Sequence, residues 1–250
     1  MRPFILLIAL STLVACGQSA VPAAPLPEAH TGVSGPWFIC DGLDAPALFV
    51  FGRNGLEVRI AEYDKPNGAI VERSAYVLGT EAAAAGSVYR VLFSNGVEAG
   101  AIRETDPAML ESPGAAYTAH IGEVRLGERR ISCRWLPRTR LIGFTGRRSL
   151  VVHEDADGDL IYSAFNFADA ANAGPIELSE NGLSTPFSVE VRGGEEAIGR
   201  EEAEFRFAAD NYAYVVHASR DGTGRIDLLR DGQQVQSEPL IAFVLGDAQD

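Results

Sequence analysis

Apolar and polar positions alternate along most of the chain. In GRNGLEVRI, Leu56, Val58 and Ile60 alternate with Glu57 and Arg59, and FSVEVRGG sets Phe187, Val189 and Val191 on one side. SVYRVLFSNG, EFRFAADNYAYVV and GRIDLLRDGQQVQ repeat the same period, and Asn95-Gly96, Gly193-Gly194 and Asp231-Gly232 punctuate these runs. A period of two marks a half-buried strand, and such dipeptides mark tight turns. Helical periodicity is scarce. TEAAAAG (80–86) and GGEEAIGREEAEF (193–205) are each expected to form one short helical turn. The pattern predicts an all-β fold of two small antiparallel units, barrel-like or sandwich. Trp37, Phe38, Phe49, Phe51, Phe205, Phe207, Tyr212, Tyr214 and Phe243 mostly follow the strand period, so they read as core in preference to a sugar-binding platform.

The amino terminus departs from this pattern. Arg2 precedes an apolar run, Phe4 to Val14, that is too short to span a bilayer of about 30 Å. The run ends in Leu13-Val14-Ala15-Cys16, which resembles the lipobox of bacterial lipoproteins. The resemblance implies cleavage after residue 15, acylation of Cys16, and stable membrane anchoring through several acyl chains. Gly17 stands where an Asp would retain the protein in the inner membrane. By resemblance to enterobacterial sorting, the expected place is the outer membrane, facing the periplasm. Residues 16–35 are small, Pro-rich and almost uncharged, and read as a lipidated tether.

Charge changes the picture next. The 250 residues carry a net charge of −13, which argues against a nucleic-acid partner. The charge is uneven. Residues 36–124 carry −6, residues 125–148 carry +7, and residues 149–250 carry −14. The basic segment holds Arg125, Arg129, Arg130, Arg134, Arg138, Arg140, Arg147 and Arg148. Two readings stay open for it. One is a contact surface for anionic partners such as lipid phosphates, head groups or wall polymers. The other is internal, with the arginines bridging two acidic units and fixing their orientation. A boundary near Pro137 divides the folded chain into units 36–136 and 137–250, the second a candidate diverged copy of the first.

Cys40 and Cys133 bracket the first unit. In an exported chain they are expected to form a disulfide, the alternative being two free buried thiols. Closing a loop of about 94 residues stabilises by roughly 4–5 kcal/mol in the chain-entropy model. No His lies at ligand spacing from either cysteine, and His30, His120, His153 and His217 are scattered, so no metal site is read. Asp155-Ala156-Asp157-Gly158-Asp159 has the oxygen donors of a calcium loop. Asn166 falls where the closing Glu belongs, so the stretch reads as a turn between strands. With no Gly-x-Ser-x-Gly elbow and no phosphate-cradling Gly-rich loop, neither enzymatic activity nor a cofactor is expected.

A lipobox, a tether, Phe38-Ile39-Cys40, a short all-β unit and a closing Cys133 form a layout that resembles the membrane-bound C-type lysozyme inhibitor family. The family is a lipid-anchored, disulfide-bridged β-barrel. Its Ser-Gly-x-x-Tyr loop is matched by Gly86 and Tyr89, and its Lys-Gly loop by Gly96. Ala85 and Asn95 replace the Ser and Lys that reach lysozyme carboxylates, and Ser87 stands two positions on as a substitute donor. The resemblance makes Gly86, Ser87, Tyr89, Asn95 and Gly96 candidate binding loops. It implies a non-enzymatic binding module that inhibits a basic lytic enzyme, for which an acidic surface speeds encounter. The alternative is a structural or assembly lipoprotein that holds another envelope component.

Overall fold

A computed structural model describes residues 35–65, 68–106, 109, 117–167, 178–179, 182–183 and 188–246. The signal segment, Cys16 and the tether lie outside the described residues.

The first unit is an eight-stranded antiparallel meander: β1 (Pro36–Asp41), β2 (Ala47–Asn54), β3 (Glu57–Asp64), β4 (Ala69–Ala84), β5 (Ser87–Ser94), β6 (Val97–Thr105), β7 (Ile121–Leu126) and β8 (Arg129–Ser132). Each strand pairs with its sequence neighbours, and the two edges then meet. Gly42 forms an antiparallel bridge with Cys133. Leu43 N–H donates to Ser132 O at 2.8 Å, and Arg134 N–H to Asp41 O at 2.8 Å. The Cys40–Cys133 disulfide staples this junction across a sequence separation of 93. Phe38, Phe49, Phe51, Val58, Ile60, Leu92, Ile102, Val124 and Ile131 fill the interior.

The second unit comprises β9 (Thr139–Phe144), β10 (Arg148–Glu154), β11 (Leu160–Asn166), β14 (Val189–Ile198), β15 (Glu202–Ala209), β16 (Tyr212–Ser219), β17 (Gly224–Arg230), β18 (Gln233–Pro239) and β19 (Ala242–Leu245). A separate two-residue ladder joins β12 (Leu178–Ser179) to β13 (Gly182–Leu183). The order across the nine-stranded sheet is β18-β17-β16-β15-β14-β11-β10-β9-β19. Only Leu240 and Ile241 separate β18 from β19, so the chain leaves one edge and joins the other within two residues. The curled sheet packs Leu150, Val152, Tyr162, Phe205, Phe207, Val216 and Ile226 inside.

A third cluster joins the units. Ile39, Leu48, Val50, Ala61 and Tyr63 from β1–β3 pack against Ile142, Phe144, Val151, Phe165, Phe167 and Ala242. β1 and β2 are therefore apolar on both faces, one lining their own interior and the other meeting the second unit.

The turn signals hold. Asn95 (φ 52°) with Gly96 (φ 77°), and Asp231 (φ 51°) with Gly232 (φ 79°), make two-residue hairpins whose positive φ matches the strand twist. The helical expectations do not hold. Glu81, Ala82 and Ala83 of TEAAAAG pair in register with Arg90, Tyr89 and Val88, so ladder bonds override the alanine preference for helix. Residues 195–198 and 203–206 likewise form a hairpin, from Glu195↔Arg206 to Ile198↔Ala203. Gly193-Gly194 is not a strand end. It bends β14 where pairing passes from β11 to β15, and a Cβ at Gly194 would stand 2.2 Å from the Phe207 ring.

Candidate functional site

The lysozyme-inhibitor-like loops are not brought together. Ala85 (φ 35°) and Gly86 (φ 79°) form the turn from β4 into β5, and Asn95 and Gly96 the turn out of it. At about 3.3 Å per residue, the strand between them sets the two turns roughly 25 Å apart. Ser87 is buried, which withdraws its hydroxyl from any partner, and its Oγ accepts a bond from Arg103 Nε at 3.2 Å. Tyr89 is half-buried within β5, opposite Arg103.

The arginine segment is largely consumed internally. Arg129 makes a bidentate pair with Glu62 at 2.9 Å for each bond, which raises its already high pKa. Arg125 pairs with Glu98, and Arg130 lies 3.6 Å from Glu123. Arg140 bridges Glu154 at 2.6 Å and Glu196 at 2.8 Å, and Arg148 meets Glu238 at 2.9 Å. Arg138 Nη1 donates to Asp155 O at 2.6 Å, while Arg147 is exposed. These bonds stay within one unit or the other. Some join adjacent strands, as Arg140 does with Glu154, and others reach across a curled sheet, as Arg129 does to Glu62 and Arg148 to Glu238.

Arg134 reaches across the seam, and it belongs to a site that the sequence did not disclose. Asp41, 1% exposed, lies at the end of β1. Its Oδ1 is 2.6 Å from Lys65 Nζ, and its Oδ2 is 2.7 Å from Arg134 Nε. Ser149 of the second unit donates its hydroxyl to the same Oδ2 at 2.6 Å. Lys65 also donates to Gly42 O, and the Arg134 guanidinium lies 3.4 Å from the centroid of Phe165, again in the second unit. Burial by itself pushes the Asp41 carboxyl up. Arg134, then Lys65 and Ser149, outweigh it and hold the group well below the usual carboxylate range. Lys65 is the only lysine in the chain, and Asp41 and Arg134 directly follow the two bridged cysteines. A sole lysine inside an otherwise arginine-only composition was the available signal.

Further cross-seam bonds run from Tyr117 Oη to Glu154 at 2.6 Å and from Thr118 N–H to Thr139 O at 2.8 Å. A crevice beside them is lined by Phe38, Thr118, Arg134, Trp135, Thr139 and Ile142. His120 lies before β7 and not in a strand, edge-on to Trp135 at 5.3 Å, and burial pushes its pKa down. His217 stands on the outer wall of the second unit, 3.2 Å from Glu202 and 3.3 Å from Asp227. Asp155 accepts bonds from the amides of Asp157 and Asp159 at 3.0 Å each, as a turn requires. No group of three or more metal-ligating side chains is placed to hold an ion among the described residues. No family model, curated protein or solved structure matches the chain.

Proposed function

We propose that the chain is a lipid-anchored, non-enzymatic binding protein of the bacterial envelope, one that holds another envelope component on the outer walls of two fixed β units. The observation that carries this reading is the seam. A shared apolar cluster and the Asp41 network hold the two units together, so their outer walls keep one relative geometry. The interiors are filled by side chains, which leaves the walls and turns as the surfaces for a partner. The lipobox-like Leu13–Cys16 supports the anchoring, and the acidic surface suits a basic partner.

Inhibition of a lysozyme-like enzyme is the second reading, resting on Gly86, Tyr89 and Gly96. It is disfavoured because Ala85 and Asn95 stand where the family carries the Ser and Lys that reach the lysozyme carboxylates. A muramidase lysis assay with excess mature protein separates the readings. Unchanged lysis is expected, and stoichiometric inhibition overturns the first. Cross-linking in intact envelopes tests partner binding directly. Lys65 is buried, so a carboxylate-directed reagent is needed, and one defined adduct with an envelope component is the expected result.

A further inference from the structure

The two units also meet along a short strap that lies outside the strands. Residues 117–120 precede β7 and cross the seam twice, through Tyr117 Oη to Glu154 at 2.6 Å and Thr118 N–H to Thr139 O at 2.8 Å. The strap is tied to its own unit where Thr105 N–H donates to His120 O at 2.9 Å. His120 is 4% exposed and lies edge-on to Trp135 at 5.3 Å. Neither of its ring nitrogens meets a protein donor or acceptor. A neutral imidazole has one donor and one acceptor, and an imidazolium has two donors. Charging the ring in place therefore strands a second buried donor together with a buried charge.

The charged groups on the elements packed around the strap are already engaged. Glu104 of β6, opposite Ile121 in register, lies 3.1 Å from Arg90, and Arg103 donates to Ser87. Asp106, next to Thr105, has a partner as well. On β7, Glu123 lies 3.6 Å from Arg130, and beyond β8 Arg134, next to Trp135, is held by Asp41. From the second unit, Glu154 takes Tyr117 and Arg140, and Arg138 donates to Asp155 O. No carboxylate is left to offset a charge on the ring, and burial alone pushes the His120 pKa down. The Asp41 carboxyl behaves otherwise, because its cations keep it ionised well below the usual carboxylate range.

We infer that the strap is a pH-sensitive clasp: in mild acid His120 takes up a proton, residues 117–120 lift off the second unit, and the crevice beside Trp135 opens. The Asp41 network still holds the units together under those conditions, so the clasp changes what the seam presents without separating them. The crevice that opens is lined by Phe38, Thr118, Arg134, Trp135, Thr139 and Ile142, apolar side chains edged by hydroxyls and a guanidinium. This inference rests on the seam as the element that fixes the two outer walls, and adds a condition under which part of it lets go.

Amide exchange reads the clasp directly, because Thr118 N–H makes one of the two cross-seam bonds. Corrected for the intrinsic rate, opening at Thr118 in the full chain should rise about tenfold between pH 7.5 and 5.5, since the open strap titrates near 6.5 and the closed one lower. The rise should be insensitive to dilute urea, because lifting so short a segment exposes little surface. His120→Phe keeps a ring against Trp135 and should flatten the profile. Tyr117→Phe removes the bond to Glu154 and should raise opening at every pH while keeping the slope. A flat profile in the parent chain overturns the proposal, as does a rise that survives His120→Phe or one that scales with urea as global unfolding does. The His120 ring resonances give the titration in the unaltered chain, and a ring that titrates with no change at Thr118 overturns it too. Cross-linking at pH 7.5 tests partner binding on the outer walls with the clasp shut, so failure of that reading and failure of the clasp are distinguishable.

Discussion

Asp41→Asn changes one oxygen to nitrogen and removes the carboxylate that buried Lys65 and Arg134 both face. At an effective dielectric of about 20, each contact at 2.6–2.7 Å is worth about 6 kcal/mol before desolvation. Removing the carboxylate also removes its own burial cost of several kcal/mol, so the net loss is about 3–5 kcal/mol. With a urea slope near 3 kcal/mol/M, the unfolding midpoint should fall by roughly 1–2 M. Lys65→Met added to Asp41→Asn should recover part of the loss, since it removes one stranded charge. Ser149→Ala deletes only a hydrogen bond and should cost about 1–3 kcal/mol. The pH dependence has a definite sign. The folded carboxyl titrates below its unfolded value near 3.9, so its contribution is complete above about pH 4 and is lost as pH falls further. Asp41→Asn should erase that acid limb. A cost under about 1 kcal/mol, or a double variant weaker than Asp41→Asn alone, would refute the account.

Reducing Cys40–Cys133 should cost about 4–5 kcal/mol by chain entropy. Because Asp41 and Arg134 adjoin the bridge, amide exchange should also rise in β9 and β10 across the seam. Protection lost only in β1–β8 would show that the bridge and the seam are uncoupled. Gly100→Ala should destabilise by about 1–3 kcal/mol, because a Cβ there would stand 2.4 Å from the Arg125 carbonyl oxygen. Gly122→Ala, with nothing within 4 Å, should be nearly neutral, and equal melting temperatures for the two would contradict the packing. Burial holds His120 and His153 below the usual histidine pKa, so the unfolded chain takes up protons first. Stability should therefore fall as pH drops below about 6.5. A pH–melting curve for His120→Phe should be flatter there, and an unchanged slope would count against the assignment.

The parts of the fold that were legible in the sequence are those where local chemistry leaves one choice. Asn95-Gly96 and Asp231-Gly232 need positive φ at both positions, and the structure puts both there. Period two identified β3 and β15 because each buries alternate positions. Local propensity misled where tertiary pairing decided, as in the alanines of β4 and the Glu-rich hairpin of β14 and β15. The seam is partly visible in the sequence. WFIC and ALFVF are continuous apolar runs, the pattern of strands buried on both faces. The ion network was not readable, because Asp41, Lys65, Arg134 and Ser149 meet only after both units have closed.

The motif positions shared with the lysozyme inhibitors have a local structural explanation. Gly86 and Gly96, the two matching glycines, both occupy the second position of a two-residue hairpin and both have positive φ, 79° and 77°. Any tight hairpin of this kind favours glycine there, whatever the protein binds. Tyr89 lies on the strand between them, where an aromatic packs well against Ala82 and Arg103 across β4 and β6. The matched residues are therefore explained by the β4–β5–β6 meander alone. The side chains that would have reached a partner, at Ala85 and Asn95, are the ones that differ.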